Sequence, residues 1–89
     1  MQAVITTIGD DKVGILAKVA SVCADAGVNI REVTQSILGE TFAMIMMTDL
    51  DGCVVQFEEL SARLQEAGRQ IGVEVRITRQ ELFDAMHRI

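Results

Sequence analysis

The sequence predicts an α+β sandwich in the order strand–helix–strand–strand–helix–strand, and three observations carry that reading. Two stretches of helical apolar spacing, one beginning at Val13 and one at Val54, separate runs rich in β-branched residues. Glycines punctuate their ends, Gly27 after the first and Gly68 and Gly72 in the second. Between them, Val28–Leu38 and Thr41–Asp49 are joined by Gly39-Glu40 alone, a two-residue hairpin turn with glycine first. A right-handed crossover in each strand–helix–strand unit places both helices on one face of a four-stranded antiparallel sheet. This is the ferredoxin-like βαββαβ arrangement. The 89 residues make one domain, 1–89, in which 80–89 form a short C-terminal helix.

Taken in order, Met1 to Ile8 alternates only weakly, with Val4 and Ile8 on one face and Ala3 and Ile5 on the other. Such a strand is buried on both sides and central in its sheet. In the first helix Ile15, Leu16, Val19, Val22, Cys23 and Ala26 form the apolar side, opposite Lys18, Ser21 and Asp25. The next strand changes phase, since Val28 and Ile30 are in register and Val33 and Ile37 are not. A bulge near Arg31 and Glu32 reconciles them. Thr41–Asp49 is apolar on both faces, with Phe42, Met44 and Met46 on one and Ala43, Ile45 and Met47 on the other. Two helices cover one face of so small a sheet, so the second calls for a partner, most simply another copy of the chain.

Asp49-Leu50-Asp51-Gly52 is a turn. The second helix sets Val54, Phe57, Leu60, Leu64, Ala67 and Ile71 on one stripe, with Glu58, Glu59, Arg63 and Glu66 outside. Val73–Thr78 alternates cleanly, as a half-exposed edge strand does. The tail carries Leu82, Phe83, Met86 and Ile89 on one side and is too short to be helical alone, so it docks.

Composition excludes several function classes. The net charge of −5, with arginines scattered among acids and neither Trp nor Tyr, argues against a nucleic-acid partner. No apolar run approaches the roughly 18 residues that span a bilayer, and the N-terminus lacks the order of a signal peptide, so the expectation is a cytoplasmic protein without a membrane partner. Cys23 and Cys53 lack metal-ligand spacing and are expected to be reduced, Cys23 as a small core residue. His87 stands alone, and alternation splits Met44, Met46 and Met47 between two faces, so neither marks a metal site. No nucleophile–base pair, P-loop or dinucleotide fingerprint is present; neither catalysis nor a cofactor is expected.

Polar chemistry and backbone freedom coincide at Gly9-Asp10-Asp11-Lys12-Val13-Gly14, between the first strand and the first helix. Free N–H groups and the helix dipole at such a place favour an anionic group. Asp10 and Asp11 suit either an α-ammonium group or helix capping. Lys12 reads more readily as a solvated charge than as an anion clamp. Gly14 permits either close approach of a ligand or close packing. Asn29 offers a donor and an acceptor, to a ligand or to local backbone.

At Asp11-Lys12-Val13-Gly14-Ile15-Leu16, and again at Gly27-Val28-Asn29-Ile30, the chain resembles the ACT domain family. The likeness covers the whole chain; Val13 stands where the family often has proline, which affects rigidity more than chemistry. Within the family the sequence resembles the small stand-alone ACT proteins of bacteria and archaea, including its tail from Leu82 to Ile89. It is also similar to ACT modules of the glycine-cleavage accessory repressor and of formyltetrahydrofolate deformylase. The resemblance implies a homodimer that binds an amino acid or similar small carboxylate effector at a subunit interface. It implies a ligand loop at Asp10, Asp11, Lys12, Val13, Gly14 and Ile15, with Asn29 and Ile30 at the start of the second strand. The competing expectation is a ligand-independent interaction module that docks through Leu82, Phe83, Met86 and Ile89 on a transcription regulator or metabolic enzyme.

Overall fold

The computed structural model describes residues 1–87; Arg88, and Ile89 of the tail's apolar stripe, lie outside the described residues. Four strands, β1 (Gln2–Asp10), β2 (Asn29–Leu38), β3 (Thr41–Asp49) and β4 (Val73–Arg79), form an antiparallel sheet in the order β2-β3-β1-β4. Helices α1 (Ile15–Ala26) and α2 (Phe57–Ile71) pack on one face. There Ala3, Ile5, Phe42, Met44, Met46, Val73 and Val75 from the sheet meet Ile15, Val19, Cys23, Leu60 and Leu64 from the helices. The third helix, α3 (Gln80–Met86), packs against β1 and β4 and shares a cleft with Arg31, Glu32 and Met47, over the other face at the Gln2 end. This is the ferredoxin-like sandwich with an added C-terminal helix.

The phase change in β2 is resolved as the sequence indicates. Pairing with β3 slips between Ile30 and Glu32, leaving Arg31 out of register. Ile30 then sits opposite Thr48 and Val33 opposite Met46, so both face the helix side despite their odd spacing. The hairpin closes through Gly39 at φ +64°, and among the described residues none other than glycine has positive φ. Positive then negative is the sign pattern of a type II′ turn, whose twist matches the strands it joins.

Several boundaries differ from the sequence pattern. Strand β1 does not stop at Ile8 but runs on through Gly9 and Asp10, paired with Phe42 and Thr41. Helix α1 begins at Ile15 rather than Val13, because Gly14 takes the left-handed conformation (φ 93°) and caps it, leaving Val13 fully exposed. Helix α2 begins at Phe57 rather than Val54, whose side chain is exposed and whose N–H donates to the Ala26 carbonyl at 2.9 Å. Gly68 does not fray that helix. It is buried mid-helix, where a Cβ would lie 2.6 Å from the Val73 carbonyl oxygen, so glycine lets α2 close onto β4. Val4 is buried as a central strand requires, but Ile8 is exposed because α3 stops short of that end. Leu16, expected inside, is also exposed.

The Cys23 thiol is fully buried, and burial, with Cys53 nearby as the lesser cause, pushes it from an ordinary 9.0 up to about 11. The folded state therefore holds this proton where the unfolded chain releases it. The associated stability is complete below about pH 9 and is lost as pH rises through 11, at no more than about 1.4 kcal/mol per pH unit. Thermal unfolding between these limits should show a steeper alkaline decline in the native chain than in Cys23→Ala. Parallel curves would assign the decline to other groups.

Candidate ligand-binding site

The β1–α1 connection is held by backbone. Asp11 N–H donates to the Glu40 carbonyl at 2.8 Å, which ties the connection to the β2–β3 turn, and Lys18 N–H donates to Gly14 O at 2.9 Å as α1 starts. No side chain caps α1 and no acid lies in its first turn. The capping alternative for Asp10 and Asp11 is thereby removed. The first N–H groups of α1 have no partner within the helix and carry its positive dipole end. Asp10, Asp11, Gly39 and Glu40 line an open cleft of about 290 Å³ where the loop meets the β2–β3 turn.

The sequence-derived residues separate into three groups. Asp10, Asp11, Val13 and Gly14 stand exposed or half-exposed at the loop, while Ile15 sends its side chain into the core and offers only backbone. Lys12 turns away: a methyl group on Gly72 would lie 2.9 Å from its Nζ, so its ammonium sits over the C-terminal cap of α2, where the dipole favours a cation. Asn29 and half-buried Ile30 belong to the other end of the sheet. Asn29 pairs with Asp49, which pairs with Gln2, whereas Asp10 pairs with Thr41. Eight residue steps of strand, roughly 27 Å, separate Asn29 from the loop within one chain.

Gly39 and Glu40 were missed as neighbours of the loop. The signal was available, because a two-residue turn sets Leu38 opposite Thr41, and extending β1 to Asp10 brings that turn to Asp11. Among the described residues, no three His, Cys, Asp or Glu side chains are grouped to hold a metal ion, and no helix is long and apolar enough to cross a membrane.

A βαββαβ sheet with a polar loop leading into a helix that no side chain caps defines a ferredoxin-like module of a recognisable class. The chain belongs to the ACT domain family, whose sequence model matches residues 1–78. It is 44% identical over 89 residues to a UPF0237 protein of Clostridium acetobutylicum, covering 100% of both chains. Its structure is similar to an ACT domain protein from Streptococcus pneumoniae, with a TM-score of 0.82, 33% identity and 98% of each chain covered. It shares its fold with a putative glycine cleavage system transcriptional repressor, with a TM-score of 0.74 at 24% identity over 89% of this chain and 45% of that one.

Proposed function

We propose that this protein is a non-catalytic regulator that pairs through β2 and binds an amino acid or similar small carboxylate at the seam. The observation that carries the reading is the state of β2. It is a ten-residue edge strand on which only Ile30 is half-buried. Val33 (42% exposed) and Ile37 (54%) point to the helix side but lie beyond its cover. A bare apolar edge of this length is a pairing surface.

Two-fold pairing of β2 with its copy is antiparallel and sets the partner's Asn29 opposite Leu38. That is the end of the sheet where Gly39, Glu40 and Asp11 meet. The separation of Asn29 from the loop within one chain thus becomes adjacency across the pair. A ligand carboxylate would accept from the free N–H groups after Gly14, and its ammonium would meet Asp10 and Asp11. The partner's Asn29 would add a donor and an acceptor. Exposed Val13 would meet the ligand's side chain. Binding that bridges two copies favours the paired state, and by reciprocity pairing raises ligand affinity.

The test is thermal unfolding against a panel of amino acids and related carboxylates. At about one hundred times its Kd, a ligand of the folded state adds roughly 2.7 kcal/mol, a rise on the order of 10 °C for a chain of this size. Asn29→Ala and Asp11→Asn should each remove the rise while leaving the unliganded midpoint in place. A flat panel would sink the ligand reading and favour the second one, a ligand-independent docking module. What supports that alternative is the exposure of Leu82 and Met86 on α3.

A further inference from the structure

The register slip in β2 takes Arg31 out of the ladder with β3: Ile30 pairs with Thr48 and Glu32 with Met47, and Arg31 has no partner between them. An extra residue of this kind bends its strand and re-aims a side chain, and such bulges recur beside functional sites. Here the bulge sets Arg31 and Glu32 together on one wall of a cleft of about 250 Å³. Gln80 and Asp84 of α3 form the opposite wall, with Gln2 and half-buried Met47 in the strands between. That is room for roughly eight waters, the size of one small organic molecule.

The charges around this cleft face one another without meeting. Elsewhere arginines find acids within their own element: Arg63 pairs with Glu59, Arg69 with Glu66 and Arg76 with Glu74. Arg79 lies over the Phe57 ring at 4.2 Å. Among the described residues Arg31 has neither an acid nor an aromatic partner, although two carboxylates line the same space. The geometry explains why. Helix α3 packs on β1 and β4, so its acid stands about two strand spacings from β2, roughly 10 Å. Gln80 Nε2 donates to Asp84 Oδ1 at 2.9 Å, which holds that carboxylate against its own helix and leaves its second oxygen open. Opposite charges that stop short of each other across a cleft suit a molecule carrying both.

We propose that this cleft binds an extended zwitterion, a molecule with a carboxylate at one end and an ammonium several carbons away. The carboxylate accepts from the planar fork of Arg31 and from the Gln2 amide. The ammonium donates to the open oxygen of Asp84 on the far wall, and the carbons between lie on Met47. Spacing sets the class. An α-amino acid carries both charges on one carbon and reaches one wall, whereas an ω-amino acid spans the two. Glu32, beside Arg31, rejects dicarboxylates, because a second anion would face an acid on either wall. Held at both ends, the ligand ties α3, which buries no residue, to the edge strand. The site lies within one protomer and does not rest on the seam reading.

The experiment is an amide chemical-shift titration of the native chain with glycine, β-alanine, γ-aminobutyrate and 6-aminohexanoate, which set the two charges progressively further apart. Butyrate and butylammonium serve as single-charge controls. Saturable shifts are expected at Arg31, Glu32, Gln80 and Asp84, with a Kd that falls as the zwitterion lengthens. Each control should bind about tenfold or more weakly than γ-aminobutyrate, since it lacks one charged contact. Arg31→Gln and Asp84→Asn should each weaken the longer zwitterions by a similar factor. Both positions are exposed, so circular dichroism should be unchanged. Asp11→Asn, which tests the seam, should leave these constants as they are. Shifts that do not saturate, a Kd for glycine equal to that of the longest probe, or variants that bind like the native chain would overturn the proposal. So would shifts confined to Asp10, Asp11 and Gly14, whatever the seam binds.

Discussion

Replacing Gly27 by alanine is expected to destabilise the folded chain by about 3 kcal/mol or more, lowering the thermal midpoint by over 10 °C. Two independent effects combine there. Gly27 closes α1 at φ +78°, a conformation that alone costs an L-residue about 1–2 kcal/mol. A Cβ at that position would also collide with the carbonyl oxygen of Gly52, where the turn after β3 crosses the end of α1. That oxygen is backbone, and the crossing is fixed by the Val54 N–H bond to Ala26, so relief requires moving the whole turn. Gly39→Ala is the control. Gly39 has the same sign of φ, at +64°, but an added Cβ there meets nothing within 4 Å. Its loss should match the conformational part alone, about 1–2 kcal/mol. Equal urea midpoints for the two variants would show that the close crossing contributes nothing.

The second large effect concerns assembly. The double variant Val33→Asp, Ile37→Asp should weaken β2 pairing by about a hundredfold and abolish any ligand-induced thermal shift with it. Both side chains are substantially exposed in one chain, so the fold tolerates the change. In that register Ile37 lies opposite the partner's Ile30 and Val33 lies beside the axis, so the introduced carboxylates place charge in an apolar contact, and apolar burial is lost at the same positions. About 2.7 kcal/mol from these two sources corresponds to the hundredfold. Asn29→Ala separates the functions: it should retain the native mass and lose only the ligand response. An unchanged mass for the double variant would rule out β2 as the pairing edge. A ligand response that survives in a dissociated chain would place the site within one protomer.

The sequence was most legible where a local rule left one solution. The odd spacing of Ile30 and Val33 required a bulge, and Arg31 is where the register slips. Gly39-Glu40 allowed one tight turn, and Val73, Val75 and Ile77 turn inward as their alternation required. It was least legible where the answer depends on how far one layer extends over another. Val13 and Val54 read as the first apolar positions of their helices, yet each precedes its helix and is exposed, since Gly14 and Gln56 are the capping residues. Val33, Ile37 and Ile8 have the right phase to be buried but lie past the edges of α1 and α3. At the candidate site the sequence named the loop and Asn29 but could not reveal their placement at opposite ends of one sheet. That separation arises from pairings between strands distant in the chain, which no local pattern encodes.

The position of β1 in the middle of the sheet sets the order in which the chain can mature on the ribosome. The β2–β3 hairpin joins neighbours in sequence and can close as soon as it is synthesised. Strand β1 leaves first, yet its partners arrive late: Gly9 pairs with Phe42 on one side and with Val73 on the other. At roughly 5–20 residues per second, the second of these is absent for several seconds after β1 appears. Throughout that interval the most β-prone stretch of the chain, Ala3 to Ile8, has an open hydrogen-bonding edge. Interruption of translation before β4 would therefore release a product whose sheet ends in a bare, apolar central strand, a species suited to stacking with its own kind and to capture by chaperones.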